Sequence, residues 1–219
     1  MADYNTYFPV AMNLKGKNIV IIGGDHEATS KTKALLKCKP HLTVINPEVT
    51  DELEQLAQSE SLTWIQRAYQ PGDLKDTFLC IVCDQSLGEA VRQEADREKV
   101  VLNVLDVTKL CDFIAVANFS RDGLQIGIHS SGKSAALSRR VRERLEQQFG
   151  DGYANLTKVL GDIRPIIKRM FSTFSARRNY WLDVVDDAML QRADQNNISE
   201  IALKKELLQK ARQHYQQQK

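Results

Sequence analysis

The amino-acid sequence predicts an α/β fold: a Rossmann-like parallel sheet domain, followed by a small α+β segment and a helical C-terminal domain. Three observations predict it. Short apolar runs alternate with helical patterns as far as residue 105. The first of these runs, 18–22, ends at two glycines that precede a helical pattern. Beyond residue 112 the alternation gives way to two strand-like runs and then to helical sequence. We therefore predict three domains, 1–112, 113–149 and 150–219.

The elements of the first domain follow from its apolar pattern. Apolar runs rich in β-branched residues and bounded by turn residues predict strands, and the spacing between them predicts helices. The second helix is expected to begin after Thr50, a residue type favoured as N-cap, with Asp51 and Glu52 in its first turn. The predicted strands are 17–22, 42–45, 62–65, 78–83 and 100–104, and the predicted helices are 28–36, one opening at 50–54, and 87–98.

The second and third domains show different patterns. Residues 113–119 and 124–128 are strand-like, and the Asp122-Gly123 pair between them is a hairpin signal. Ser134 is the expected N-cap of a helix that runs to residue 149. The sequence Gly150-Asp151-Gly152 is expected to break this helix, and everything beyond it is helical in character.

Residues 18–28 form the strand–turn–helix pattern of a dinucleotide-binding unit, in which the tight turn and the helix N-terminus hold a pyrophosphate. In the form G-x-G-x-x-G/A, Gly23 fills the first position and Ala28 the last, but Asp25 replaces the middle glycine. At an effective dielectric of about 20, two unit charges roughly 4 Å apart repel by about 4 kcal/mol. A third of that repulsion energy would weaken dinucleotide binding on the order of tenfold. We therefore expect Asp25 to turn outward, or to pair with Lys31 or another cation.

The carboxyl ends of the predicted strands are where a ligand of such a sheet binds. Glu48, which follows the second strand, could reach an adenosine ribose, and no arginine follows that strand to accept a 2′-phosphate. The choice between NAD and NADP stays open. The residues predicted to contact the dinucleotide are Gly23, Gly24, Asp25, His26, Glu27, Asn46, Pro47, Glu48, Cys83, Asp84 and Asn103.

Composition excludes several classes of protein. The 219 residues are 42% hydrophobic and 26% charged, as expected for a globular protein. A formal charge of +2 implies no general attraction to nucleic acid or membranes. No apolar run approaches the length of a membrane span and the polar start lacks a signal-peptide profile, so we expect a cytoplasmic protein. Cys80 and Cys83 have metal-like spacing, but residues three apart in a strand point to opposite faces, so no shared metal site is predicted.

Several segments together resemble one family, the precorrin-2 dehydrogenases, which include the amino-terminal module of the siroheme synthases and stand-alone relatives. The most specific are the Asn-Val-Leu-Asp run at 103–106 with Cys-Asp-Phe at 111–113, and the Ser-Ser-Gly-Lys-Ser run at 130–134. The order and spacing fit from about residue 7 to residue 149, and the helical tail resembles that of the stand-alone members. Other matching pieces are 7–10, 14–17, the glycine turn and 136–140.

The resemblance implies oxidation of precorrin-2 to sirohydrochlorin in siroheme biosynthesis, with NAD as the hydride acceptor. It also implies a homodimer, with residues 113–149 contributing to the dimer contact and to substrate binding. Two alternatives remain open. One is a sirohydrochlorin chelatase that inserts iron or cobalt and has a degenerate NAD site; the other is a non-catalytic tetrapyrrole-binding protein.

Asp106 is the predicted catalytic residue, because it follows the fifth strand and matches the aspartate that the family pattern treats as catalytic. A carboxylate there could accept a proton from the macrocycle as hydride leaves, or pyrrole protons in a chelatase. The competing interpretation is a simple helix or turn cap. The resemblance implies substrate contacts at Ser130, Lys133 and Ser134, although serines and glycine between a strand and a helix are also typical of turns. For His129 a structural, hydrogen-bonded role is favoured, and no metal ligand is predicted.

Overall fold

The computed structural model of the protein describes residues 7–217. These divide into two compact units, 7–115 and 116–217. The hairpin and the helices that follow the sheet therefore belong to one unit.

The first unit contains a five-stranded sheet in which every neighbouring pair is parallel, and this confirms the predicted fold class. The strand order is β3-β2-β1-β4-β5, so the strand that leads into the glycine turn lies in the centre and β5 lies at an edge. The strands are β1 (Asn18–Ile22), β2 (His41–Ile45), β3 (Thr63–Ile65), β4 (Leu79–Val82) and β5 (Val101–Val104).

Three helices connect these strands: α1 (His26–Leu36), α2 (Asp51–Gln58) and α3 (Gly88–Glu98). Short 3₁₀ turns lie at Gln85–Leu87 and Thr108–Leu110. The predicted cap at Thr50 is confirmed, since its side chain accepts a hydrogen bond from the Leu53 amide. Helix α1 begins two residues earlier than predicted.

Apolar side chains cover both faces of the sheet, as parallel sheets require. In β1, Val20 and Ile22 belong to one buried cluster, and the alternate residues Ile19 and Ile21 belong to another. Cys80 lies in the first cluster and Cys83 in the second, which confirms that the two thiols diverge.

The second unit begins with an antiparallel hairpin of β6 (Ala117–Arg121) and β7 (Leu124–Ile128). The predicted hairpin is confirmed, and Asp122 adopts the left-handed backbone (φ 52°) that such turns need. The prediction of a strand from residue 113 was wrong. Pairing starts at Ala117, opposite Ile128, and residues 113–116 have no strand partner.

Five helices follow the hairpin: α4 (Ala135–Gln148), α5 (Asp151–Met170), α6 (Phe174–Val184), α7 (Asp187–Asp194) and α8 (Glu200–Gln217). Ser134 caps α4 as predicted, accepting from the Leu137 amide at 3.1 Å. The predicted break after α4 falls at Phe149 and Gly150. Gly152, however, is helical and lies within α5. A Cβ atom there would lie 2.2 Å from the Ala193 carbonyl oxygen of α7, so only glycine fits. This glycine serves close helix packing.

The buried core of the second unit lies between its helices. Phe171 and Tyr180 stack with ring centroids 5.6 Å apart, and the Tyr180 hydroxyl donates to the Leu207 carbonyl oxygen at 2.9 Å. The buried tyrosine is therefore satisfied as a donor. Within residues 7–217, no helix combines the length and the apolar character needed to cross a bilayer.

Candidate functional site

A cleft of about 370 Å³ lies at the carboxyl ends of β1 and β4. Four of its six lining residues were predicted to contact a dinucleotide: Gly23, Asp25, Cys83 and Asp84. The other two, Gln85 and Ser86, were missed. Their signal was the Asp84-Gln85-Ser86 turn directly after a strand, in which the Asp84 carboxylate accepts from the Ser86 amide at 3.0 Å.

The glycine turn fits tightly between the ends of two neighbouring strands. Gly23 has φ 134°, and a Cβ atom there would lie 2.8 Å from the Cβ of Cys83 at the end of β4. A Cβ atom on Gly24 would lie 2.0 Å from the carbonyl oxygen of Glu48, beyond β2. Neither position accepts a side chain without movement of its neighbour. The turn is thus a backbone cradle at the helix N-terminus.

Asp25 is the N-cap of α1. One carboxylate oxygen accepts from the Ala28 amide at 2.9 Å, and its carbonyl oxygen accepts from the amide and the hydroxyl of Thr29. Of the two predicted outcomes, the pairing with Lys31 is wrong, since no such ion pair forms within the described part of the chain. The carboxylate instead folds onto its own helix. The amides of His26 and Glu27, which lack intrahelical partners by their position, remain available.

Cys83 is a neutral thiol at the floor of this cleft. Burial, reinforced by the nearby charge of Asp25, raises its pKa to about 12, against a smaller opposing effect of Lys31. A thiol with this pKa is not a nucleophile near neutral pH.

The loop after β2 is held against the glycine turn but does not line the cleft. The Asn46 side-chain amide donates to the Glu48 carbonyl oxygen, and the Asn46 carbonyl oxygen accepts from the Trp64 indole at 2.9 Å. The Thr50 amide donates to the Gly24 carbonyl oxygen at 3.0 Å. Pro47 and the Glu48 side chain are exposed.

Asn103 lies apart from the cleft lining as well. Its side chain is buried in β5 and donates to the Phe113 carbonyl oxygen at 2.9 Å. Its amide nitrogen is also 3.5 Å from the Cys111 sulfur. This residue therefore holds the segment beyond β5, which the sequence alone did not indicate, and its contact with a dinucleotide stays a prediction.

Asp106 follows β5, at the same edge of the sheet as the cleft but outside its lining. It is exposed and has φ 58°. Its carboxylate forms no hydrogen bond or ion pair with another residue in the 7–217 range. The competing interpretation was a helix or turn cap. No side chain caps the 3₁₀ turn that follows Val107, so a helix cap is not supported. Asp106 does lie in a turn, in which the Val107 amide donates to the Val104 carbonyl oxygen at 3.2 Å, so the turn interpretation stays open.

The predicted substrate residues lie in the second unit, in the turn between β7 and α4. The Ser130 hydroxyl donates to the Ser134 carbonyl oxygen at 2.8 Å and accepts from the Ser134 amide at 2.9 Å. Lys133 is exposed on the same turn. The His129 ring accepts from the Ser131 amide at 3.2 Å, as expected for the hydrogen-bonded residue that the sequence predicts.

Comparison with protein families gives two matches. A model described as putative NAD(P)-binding matches residues 10–117, and a model described as the sirohaem synthase dimerisation region matches residues 152–217. Together they cover most of the chain.

Two siroheme synthases are among the similar proteins. That of Photorhabdus laumondii is 33% identical over 177 residues, which are 80% of this chain and 38% of the relative. That of a Psychrobacter species is 32% identical over 206 residues, 92% of this chain and 42% of the relative. The chain thus spans about two fifths of the length of these relatives.

A solved structure of a precorrin-2 dehydrogenase has the same fold, with a TM-score of 0.75. It is 24% identical to this chain, and the match covers 94% of this chain and 100% of the other.

Proposed function

Since the chain belongs to the siroheme synthase amino-terminal domain family, which joins a putative NAD(P)-binding domain to a dimerisation region, we propose that it is an NAD-dependent precorrin-2 dehydrogenase. Precorrin-2 would transfer a hydride to NAD⁺ and release a proton, giving sirohydrochlorin and NADH. One observation carries the proposal: a free carboxylate, Asp106, stands at the same sheet edge as a side-chain-free glycine cradle.

The residues of the cradle fit a dinucleotide. Gly23 and Gly24 keep the turn clear of side chains, so a pyrophosphate can approach the backbone. The amides of His26 and Glu27 would donate to it at the start of α1. Asp25 leaves this approach open because its carboxylate bonds to Ala28, although its charge opposes an anion. NAD, when bound, supplies the hydride acceptor.

Asp106 would serve as the general base. Its carboxylate has no partner to release before it accepts a proton, within the part of the chain that the structure describes. A positioned base of this kind contributes roughly 10²- to 10⁴-fold to a rate.

The tetrapyrrole carries several carboxylates, and the turn at the start of α4 offers groups that favour anions. Lys133 and the amides of that helix start would bind one of them, with Ser130 and Ser134 shaping the turn. We further propose that the enzyme is a cytoplasmic homodimer. The resemblance seen in the sequence implies a dimer contact at residues 113–149, whereas the family model described as the dimerisation region matches residues 152–217. We therefore include both regions in the proposed contact.

The test is an anaerobic assay of the purified protein with precorrin-2 and either NAD or NADP, following NADH or NADPH absorbance and the sirohydrochlorin spectrum together. We expect both signals to rise in parallel with NAD. Absence of reduced nucleotide from a folded, dimeric protein would contradict the proposal. Metal insertion into sirohydrochlorin without any nucleotide reduction would favour the chelatase alternative.

A further inference from the structure

The outer edge of β5 is covered by two consecutive residues, Cys111 and Asp112, here called the Cys111–Asp112 clamp. As an edge strand, β5 has backbone groups without a neighbouring strand on one side. The Asp112 amide donates to the Leu102 carbonyl oxygen, and the Asp112 carboxylate accepts from the Leu102 amide, both at 2.8 Å. At Leu102 the clamp thus supplies the two hydrogen bonds that a neighbouring strand would otherwise form.

Cys111 does the same at the next outward-facing residue. Its sulfur accepts from the Val104 amide at 3.2 Å and lies 3.2 Å from the Val104 carbonyl oxygen and 3.4 Å from that of Val107. Burial raises the pKa of the thiol, so it stays protonated near neutral pH and can also donate to one of these carbonyl oxygens. A single side chain is therefore both donor and acceptor to the strand.

Arg92 of α3 fixes the clamp from outside. Its guanidinium donates to the Asp112 carboxylate at 2.9 Å and to the Leu110 carbonyl oxygen at 3.3 Å. The arginine side chain is 17% exposed and also pairs with Asp96. The ion pair thus restrains the return of the chain to β5.

The segment between β5 and the clamp is a closed loop that carries Asp106. It leaves the strand at Leu105, whose amide donates to the Val82 carbonyl oxygen of β4 at 2.9 Å, and it returns at Cys111. No side-chain bond orients Asp106 within the described residues, so the loop backbone is what restrains the place from which its carboxylate projects.

We propose that the Cys111–Asp112 clamp is a positioning device for Asp106, which holds the loop so that the backbone from which the proposed base projects stays at a fixed place. This inference rests on the proposed function, in which Asp106 is the base. A displacement of about 1 Å at a reacting group can lower a rate on the order of 10²-fold. A clamp that only protects the strand edge would affect stability and leave the rate of the folded enzyme unchanged.

The first test compares two substitutions of one side chain. Cys111→Val keeps the bulk of the thiol and removes its hydrogen bonds, whereas Cys111→Ser keeps a donor and an acceptor. We expect Cys111→Val to lower kcat by about 10- to 100-fold with the KM for both substrates nearly unchanged, and Cys111→Ser to retain most of the rate. Cys38→Val, at an exposed cysteine, is the matched control and should leave kcat unchanged.

The second test asks whether the clamp acts through Asp106. In a double-mutant cycle with Asp106→Glu, which retains a carboxylate, the loss caused by Cys111→Val should shrink to a few-fold, because the displaced base no longer benefits from the clamp. Equal losses in both backgrounds would overturn the inference. So would a lowered Tm with wild-type kcat. Asp112→Asn serves as the second clamp variant if Cys111→Val does not fold, with the same expected pattern.

Failure of the inference and failure of the proposed function give different results. If Asp106→Asn is inactive while Cys111→Val has wild-type kcat, Asp106 remains the proposed base and the positioning role of the Cys111–Asp112 clamp is contradicted. If Asp106→Asn itself has wild-type kcat, the assignment of the base falls and the inference with it.

Discussion

Two aspartates stand at the carboxyl edge of the same sheet and differ in what their side chains do. Asp25, after β1, has an ordinary extended backbone (φ −82°) and its carboxylate caps α1. Asp106, after β5, has a left-handed backbone (φ 58°), and its carboxylate has no bond among residues 7–217. The helix that directly follows Asp25 uses its carboxylate, whereas Asp106 lies in a loop that other residues hold. Only the free carboxylate is available for chemistry.

Asp25 also occupies the middle position of the glycine motif, where it can affect nucleotide binding. Because Asp25 bonds to Ala28, its carboxylate does not block the turn, yet it adds a negative charge at the positive end of α1. A pyrophosphate would have to bind beside that charge. The effect of Asp25 is therefore expected in affinity for the nucleotide and not in the chemical step.

The largest expected effect is at the free carboxylate. Asp106→Asn removes the proposed base and keeps a side chain of the same size that tolerates the left-handed backbone. We therefore expect kcat to fall by about 10²- to 10⁴-fold with NAD affinity unchanged. Steady-state kinetics and calorimetry measure the two quantities. The matched control is Asp76→Asn, at another exposed aspartate of the same unit with φ 59°, which should leave the kinetics unchanged. A wild-type rate in Asp106→Asn would contradict the assignment of Asp106, and not Asp25, to the chemical step.

The next effect tests the glycine cradle, which Asp25 directly follows. Gly23→Ala forces a side chain into a φ of 134° and against Cys83, so it should destabilise the protein by about 1–3 kcal/mol and weaken NAD binding at least about tenfold. Denaturant unfolding and calorimetry check these values. Gly161→Ala, inside α5 with no atom within 4 Å of the added carbon, is the control and should be neutral or stabilising. Unchanged NAD affinity in Gly23→Ala would place the nucleotide elsewhere.

A smaller effect is expected at the capping carboxylate. Asp25→Ser keeps a residue that caps helices and removes the charge, so NAD binding should tighten by about tenfold while stability changes by less than about 0.5 kcal/mol. Asp25→Gly restores the usual motif and should tighten binding similarly, at a loss of a few tenths of a kcal/mol in stability. If calorimetry shows the same affinity in all three proteins, the carboxylate makes no difference to the nucleotide.

Much of the fold and part of the site could be predicted from sequence, because both depend on local patterns. The order of strands and helices, the caps at Thr50 and Ser134 and the fold class are confirmed, and the family comparisons agree with the predicted function. Gly23 was predicted from its first position in the glycine motif, and its φ of 134° is a conformation that favours glycine. Its contact with a dinucleotide stays a prediction.

The features that could not be predicted depend on contacts between distant residues. Gly152 looks like a helix breaker until the Ala193 carbonyl oxygen of α7 is placed against it. Asn103 was predicted to contact the dinucleotide and Cys111 was noted only as part of a family segment, yet both side chains hold the segment beyond β5. Which edge of a strand is free, and which side chain covers it, is set by the sheet order and not by the local sequence.

The smallest effect is expected at a third aspartate, Asp84. Two features of Asp25 could weaken nucleotide binding: its charge lies at the end of a helix, and it lies close to the cleft. Asp84 shares only the second feature fully, so it tests the two separately. Its carboxylate is also engaged, accepting from the amide and the hydroxyl of Ser86, but it caps only a three-residue 3₁₀ turn. Asp84 lines the same cleft, so Asp84→Asn should tighten NAD binding by about two- to threefold. This gain is smaller than that expected for Asp25→Ser, because the Asp84 carboxylate does not compete with a pyrophosphate for the N-terminus of a long helix. Calorimetry on the two single variants and the double variant measures this, and the gains should add. Weaker NAD binding in Asp84→Asn would mean that the Asp84 carboxylate accepts a hydrogen bond from the nucleotide. Asp84 would then be a nucleotide-binding residue at the same edge of the sheet as Asp106.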